Sequence, residues 1–584
     1  MSDAAIASLL PLPVVIPLCG AVAAPLLARL QRRLPLVVSV LAMLGSTVVL
    51  CVVATSVYSG DGQVLSHFFG HWGPVDGHAL GVAFAADPFG LTFALVTAVL
   101  GMLLLVAVLS ELGELGPREL GGFACLFQLL LAALIGAALT ADTVDLFVWF
   151  EVAALSSYGL TGFFLERPIA LEAAFKVLVL TSIGGFSVFI GAAVLYADHG
   201  ALNFGQLYGA LTGHVSVPDL FALGLLVSGF ATKAGLAPFH GWLPDAHTAA
   251  PGAVSALFSA LMVDLGIVGL VRIALLVYGR GEDAVLGVLT GIGIASALLG
   301  ALLALAQDDL KRLLAWDTIS QMGVLLVGFA TVTPAGVAGA TYHLVNHALF
   351  KALLFLCAGA IVHATGETAM SRMGGLARSR PLLAAAFTAG VLAIAGVPPM
   401  NGFASLGLIH EGLRDSGQPG LFAAALVAQI ITVAALGRAA YLTFYRRRRG
   451  DYAHLEPLRT GMRVTLSVLG AACIAFGVLA EVVVARVAAP SASVLLDAGT
   501  YAHGVLAGAA DVPHLAVTFS YGNATDWLVA LGTAAFGAAL AAVYVRVPEP
   551  RPIRVLRAVH TGSVNDYAGF AAAGLLAVVA VLLA

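Results

Sequence analysis

The sequence predicts an all-α polytopic membrane protein of about sixteen spanning helices, and three observations carry that reading. Of 584 residues, 60% are hydrophobic and only 10% charged, with a mean hydropathy of +0.99; an ordinary soluble chain carries about 25% charged residues. Apolar windows of about 20 residues, the length that crosses a hydrocarbon core of about 30 Å, recur along nearly the whole chain. The basic residues, finally, gather in alternate loops. A span in lipid must satisfy its backbone polar groups internally, so each window is read as a helix.

The windows lie near 9–28, 36–57, 87–110, 121–140, 143–164, 171–196 and 217–238, then near 248–278, 284–305, 313–331, 335–363 and 382–405, and finally near 419–443, 463–485, 524–546 and 566–584. The opening MSDAAIASLL lacks the basic stretch of a signal peptide, so the first window is expected to stay as a span. Loops of one parity hold Arg29, Arg32, Arg33, Arg118, Arg167, Lys311, Arg312, Arg372, Arg378, Arg380, Arg446 to Arg449, Arg459, Arg463, Arg546, Arg551, Arg554 and Arg557; the other parity has little beyond Arg280, Arg414 and Arg486. Because Arg and Lys accumulate in short cytoplasmic loops, both termini are expected on the outer face of a bacterial cytoplasmic membrane. The stretches 59–86 and 486–523 then become the longest outer connections. FFGHWGPVDGHALGVAFAADPFG in the first of them suits a small hairpin.

Composition also excludes. A net charge of −4 with scattered basic residues excludes a nucleic-acid surface. The cysteines, Cys19, Cys51, Cys125, Cys357 and Cys473, lie in apolar spans and never as C-x-x-C, which speaks against a disulfide framework, a zinc site or an iron–sulfur cluster. No redox-cofactor motif is present, so no cofactor is expected and no electron chemistry is assigned to this chain.

The charges that remain inside apolar windows are the candidate functional groups, since each costs about 2.5–3.5 kcal/mol at the bilayer centre. Lysine occurs only at Lys176, Lys233, Lys311 and Lys351, and three of these are within spans. A desolvated lysine can give up its proton, whereas arginine cannot. Glu151 sits in DLFVWFEVAALSSYG; His240, Asp245 and His247 follow Lys233 in KAGLAPFHGWLPDAH; Asp264 interrupts SALMVDLGIVG. His343, His347 and Lys351 recur every four residues in YHLVNHALFK, which puts them on one helix face as a polar stripe suited to a proton relay. A buried ion pair fixing helix registry is the alternative for Glu151 and Lys233. Metal binding by the histidines is disfavoured, because no Glu stands between them as in H-E-x-x-H. For Asp245 and His247, near a span end, solvation and capping compete with function. Asp317, near the end of its helix, is expected to cap or face the surface.

Two stretches repeat. Ala174-Phe175-Lys176-Val177-Leu178 parallels Leu349-Phe350-Lys351-Ala352-Leu353, and Lys233-Ala-Gly-Leu-Ala-Pro238 parallels Ile394-Ala-Gly-Val-Pro-Pro399. The members of each pair lie an odd number of spans apart and so cross in opposite senses, the pattern of an inverted repeat with paired Gly/Pro-broken helices. Four segments follow: 1–120 with three helices and the outer hairpin, 121–278 and 279–443 as two inverted five-helix repeats, and 444–584 with the last three helices.

In order and spacing, KAGLAPFHGWLPDAHTAAPGAVSAL, QDDLKRLLAWDTISQMG, YHLVNHALFKALLFLCAGAIVHATG and AGVPPMNGFAS resemble the antiporter-like subunits of respiratory complex I, Mrp cation/proton antiporters and membrane-bound group 4 hydrogenases. The resemblance implies a fourteen-helix core with broken helices seven and twelve, other membrane subunits as partners, and protons carried along a central hydrophilic axis. Within it Glu151 matches the glutamate of the fifth helix, Lys233 the lysine of the seventh, and Lys351 with His343 and His347 the eleventh-helix segment. Two positions depart from the pattern: Asp264 stands where a lysine or histidine is usual, and Leu406 where lysine or glutamate is usual. His410 and Glu411, one turn on, are the candidates to replace the latter, with an interfacial role as the alternative. Proton transport driven by a redox partner, sodium/proton exchange without one, and a structural subunit that has lost conduction are the functions that remain.

Overall fold

The structure is a computed structural model that describes residues 2–75, 78–111, 115–279, 283–447, 455–546 and 551–584. Among these, fourteen helices are long and apolar enough to cross a membrane. Two further elements fill the remaining apolar windows of the sequence and are counted with them: Thr143–Thr161, whose polar residues lower its hydropathy, and the broken pair Pro381–Ile394 and Asn401–Asp415. In order, the spans are Asp3–Leu27, Leu34–Val57, Pro88–Val108, Pro117–Leu139, Thr143–Thr161, Pro168–His199, Val217–Ala234 with Leu243–Ala249, Gly252–Val277, Ala284–Leu305, Leu310–Ala330, Pro334–Thr365, Pro381–Ile394 with Asn401–Asp415, Pro419–Tyr445, Thr460–Val478, Ala524–Tyr544 and Val564–Leu583. They are numbered first to sixteenth below.

Alternate connections meet at opposite ends of the bundle. At one end Arg32 Nε donates to Leu115 O at 2.9 Å, Arg446 reaches the carbonyls of Ser371 and Met373, and Asp309 bridges to Ala369. This is the arginine-rich end; Arg280, Arg448 and Arg449 lie outside the described residues. At the other end β1 (Gln63–Phe68) pairs antiparallel with β2 (Ala83–Ala86), Leu65 opposite Ala86. A hairpin therefore forms there, but its first strand precedes all but the opening residue of the stretch FFGHWGPVDGHALGVAFAADPFG expected to hold it, and it takes a third strand, β3 (Ala509–Asp511), with Gln63 opposite Asp511.

Three expected boundaries need correction. The stretch 486–523 is not an open connection: Ala480–Leu496 and Ala498–Ala507 form an apolar helix pair bent by 89° at Asp497, packed on the third and eleventh spans. The windows read at 217–238 and 382–405 end early as helices, because Gly235 and Gly396 adopt φ of +66° and +67°, which terminates the first half of each broken span.

The eighth and tenth spans are wholly enclosed by the others, whereas the fifteenth and sixteenth lie at the periphery. Enclosure lets the central helices carry polar side chains that lipid would reject. The eighth and eleventh spans cross at Gly252 and Gly359, where a methyl group on either would come within 2.7 Å of the other backbone. Such close approach is the usual use of glycine between membrane helices.

Candidate functional site

The buried charges lie in two groups along the middle of the bundle. In the second half, Lys351 of the eleventh span points at the tenth, its Nζ 2.5 Å from Asp317 Oδ2 and 3.1 Å from Leu314 O. Asp317 is fully buried, which overturns the capping or surface role expected for it: it lies two turns into Leu310–Ala330, on the face that packs against the eleventh span. One turn up that span, His347 Nδ1 stands 3.1 Å from Asp264 Oδ1 of the eighth. Another turn up, His343 Nε2 meets Gln321 Oε1 at 3.0 Å and its Nδ1 meets Ser405 Oγ at 3.0 Å. The spacing of four thus delivers three titratable side chains to three different helices. Asp264 is buried away from lipid, and its partner is His347.

The first half is arranged differently. Lys233 ends the first part of the broken seventh span and is wholly buried, its Nζ 4.8 Å from the centre of the Phe150 ring. Neither Lys233 Nζ nor Glu151 Oε1 has a protein hydrogen-bond partner, and the two do not form an ion pair. The registry pair is therefore not made. Glu151 instead leans on the sixth span, where a methyl group at Gly185 would fall 1.8 Å from Oε1.

The remaining candidates lie nearer the ends. Lys176 is drawn out of the axis toward the arginine-rich end by Glu172 at 2.7 Å and Asp245 at 2.8 Å; Asp245 also holds Arg312 at 3.2 Å. His240 lies in the break of the seventh span and is buried against Trp316. His247 is buried and stacks on Phe355, with no hydrogen-bond partner on either ring nitrogen. A cavity opens at that end, lined by Arg167, Thr248, Asp309, Lys311 and His363. At the opposite end of the second half, His410 is buried beside Leu406, Gln429 and Asp526, with Glu411 half-buried next to it.

One buried charge pair escaped the sequence reading. Arg272 of the eighth span is inaccessible; its guanidinium bonds the Asp87 carboxylate and Thr140 O, the latter at 2.6 Å, and faces Tyr501. Asp87 stands just before a proline at a helix start and reads as an N-cap, and its Phe89 and Gly90 amides do bond it.

Set against known proteins, this arrangement has close counterparts. The family described as NADH:quinone oxidoreductase/Mrp antiporter, TM, matches residues 140–432. The chain belongs to that family. It is 31% identical to NADH-quinone oxidoreductase subunit N of Desulforudis audaxviator, over 81% of this chain and 96% of that one. A Na(+)/H(+) antiporter subunit from Bacillus subtilis is 30% identical over 70% and 81% of the respective chains. Hydrogenase-4 component B of Escherichia coli is 38% identical over 53% of this chain and 48% of its own length. Among solved structures, a chain of the Mrp complex from Dietzia sp. DQ12-45-1b superposes with a TM-score of 0.76 at 25% identity, over 87% of this antiporter-family chain and all of that one. One from a membrane-bound sulfane sulfur reductase, an archaeal respiratory membrane complex, gives 0.76 at 26%, over 85% and 99%. The fold and the antiporter-like class of this membrane subunit are those the motifs implied.

Proposed function

We propose that this antiporter-like subunit carries protons between the two faces of a bacterial cytoplasmic membrane, as one member of a larger redox-driven assembly whose other subunits hold the electron carriers. The observation that supports it is the series of three buried polar contacts along the eleventh span, Asp317–Lys351, Asp264–His347 and Gln321–His343–Ser405. His343, His347 and Lys351 follow one another at single helix turns of about 5.4 Å, so a proton passes along them when water or a side-chain swing bridges each step.

The contrast between the halves suggests the coupling. Lys351 is clamped by its carboxylate while Lys233 has none. Two unit charges about 4 Å apart at an effective dielectric constant near 20 attract by about 4 kcal/mol, enough to decide whether a lysine holds its proton. A charge displaced by a neighbouring subunit that swings Glu151 toward Lys233 loads that lysine, and its release passes the proton toward Asp264. The two broken spans, ending on glycines of the same conformation, fit two inverted repeats over 121–278 and 279–443 that work in alternation. The loop arginines favour an outer position for both termini.

Lys233→Ala tests this. In vesicles holding the assembled complex, dye quenching should show proton transport abolished while the subunit remains inserted, because a carrier is removed and not a helix. Full transport by that variant would refute the reading. The likeness to the Bacillus subtilis Na(+)/H(+) antiporter chain favours one second reading, sodium/proton exchange without a redox partner; it requires transport that rises with sodium in inverted vesicles.

A further inference from the structure

The tail of the chain brings a histidine that the path above does not use. His560 lies between the short Arg551–Val559 helix and the sixteenth span, at the arginine-rich end. Its Nε2 is 3.0 Å from Nε2 of His240 in the break of the seventh span, and its Nδ1 is 2.8 Å from the carbonyl oxygen of Leu556. Trp316 supports both rings, 5.3 Å from His240 and, edge to face, 5.0 Å from His560. Tyr567 packs onto Gly241 so closely that a methyl there would fall 2.2 Å from its ring, and one at Gly562 would fall 3.7 Å from Lys176 Nζ. The tail is thus seated on the broken span. The charged groups around the seat are Arg312 of the tenth span, Lys176 of the sixth, Asp245 beside them, and Asp566 of the tail itself, which accepts from Thr561.

Hydrogen-bond directions follow from the partners. A carbonyl oxygen only accepts, so His560 Nδ1 carries a hydrogen. Burial, together with Arg312, holds the His560 imidazole below the ordinary histidine value. The ring is therefore neutral near pH 7, with a bare Nε2. His240 must then donate from its Nε2, which leaves His240 Nδ1 bare, buried and without a protein partner. One ring is buried and the other partly exposed, so the pair joins the interior to water.

We propose that His560 is the proton-exchange group at the arginine-rich mouth of the first half of the path. A proton arriving on His240 Nδ1 is matched by transfer of the His240 Nε2 proton to His560 Nε2, and the resulting imidazolium gives that same proton to water. Transfer of the His240 Nδ1 proton to its Nε2 through water restores the starting tautomer, and intake runs the same steps backwards. The proposal deepens the proton-transport reading and rests on it.

The test uses vesicles holding the assembled complex with His560→Gln, which keeps a hydrogen-bonding side chain but cannot carry a proton. Proton transport should fall about tenfold, a modest share of what a positioned acid–base group contributes, and added imidazole should restore it. An unchanged rate, or a loss that imidazole does not repair, overturns the role of His560. Lys233→Ala in the same vesicles separates the two readings. If it abolishes transport while His560→Gln does not, only the tail proposal falls; if both transport normally, both fall. Should the Gln variant fail to assemble, His560→Glu decides, because it retains a carrier. Near-normal transport with a displaced pH profile supports the role, and loss of transport overturns it.

Discussion

At the scale of single residues, the two buried lysines differ in what they hold, and that difference is open to measurement. Removing one member of a buried ion pair strands the other and costs about 3–5 kcal/mol, whereas replacing both by apolar groups is often neutral. Asp317→Ala should therefore lower the thermal stability of the complex by about that amount and stop proton transport. Adding Lys351→Met should restore stability but leave transport dead, because the carrier is gone; a double variant as unstable as the single one would show that the pair is not what is being lost. Asp264→Asn keeps the shape of the contact with His347 but cannot accept a proton, so transport should fall while assembly is unaffected. Normal pumping by that variant would remove Asp264 from the relay. Glu151→Gln should weaken transport less than Lys233→Ala, as it alters the setting of a carrier without deleting one; an unchanged pH profile would argue against any coupling between them.

At the scale of elements, helix positions and most buried charges were legible because apolar windows and a spacing of four are local properties. Partners were not. Asp317 looks like an end-of-helix carboxylate until the face of Leu310–Ala330 is known, and Asp87 like an N-cap until Arg272 arrives from more than a hundred residues away. The bend at Asp497 was missed for a related reason: prolines and glycines in 486–523 speak for a loop, but the stretch is enclosed on the third and eleventh spans, and packing outweighs propensity. The seat of the tail has a pH dependence whose sign follows from His560. Its ring is held neutral when docked, so the undocked tail takes up a proton more readily, and docking weakens as pH falls below the ordinary histidine value of about 6.5. A thiol placed by Ile553→Cys, buried on the tail helix, should label faster relative to free cysteine at the same pH at about pH 5.5 than at about pH 7.5, and His560→Gln should flatten that difference. Equal labelling at both values would mean the tail is not held through this ring.

At the scale of the whole molecule, the antiporter-family fold gathers its buried charges among enclosed central spans and leaves the fifteenth and sixteenth spans at the periphery. Purification of the intact assembly should recover other membrane subunits, and their identity separates a redox-driven pump from a sodium/proton exchanger. The three-stranded sheet has a consequence for how the protein is made. Strand β3 is synthesised after fourteen of the sixteen spans, yet it completes a sheet begun between the second and third. While the ribosome works through the intervening chain, Gln63–Phe68 has an open edge, and Arg272 lacks the aromatic ring of Tyr501 above it. The amino-terminal helices therefore cannot reach their final state as they emerge; they wait for the last part of the polypeptide. A chain stopped before residue 509 should be cleared by membrane proteases in a pulse-chase experiment far sooner than the full-length protein, even though nearly every span has already been inserted.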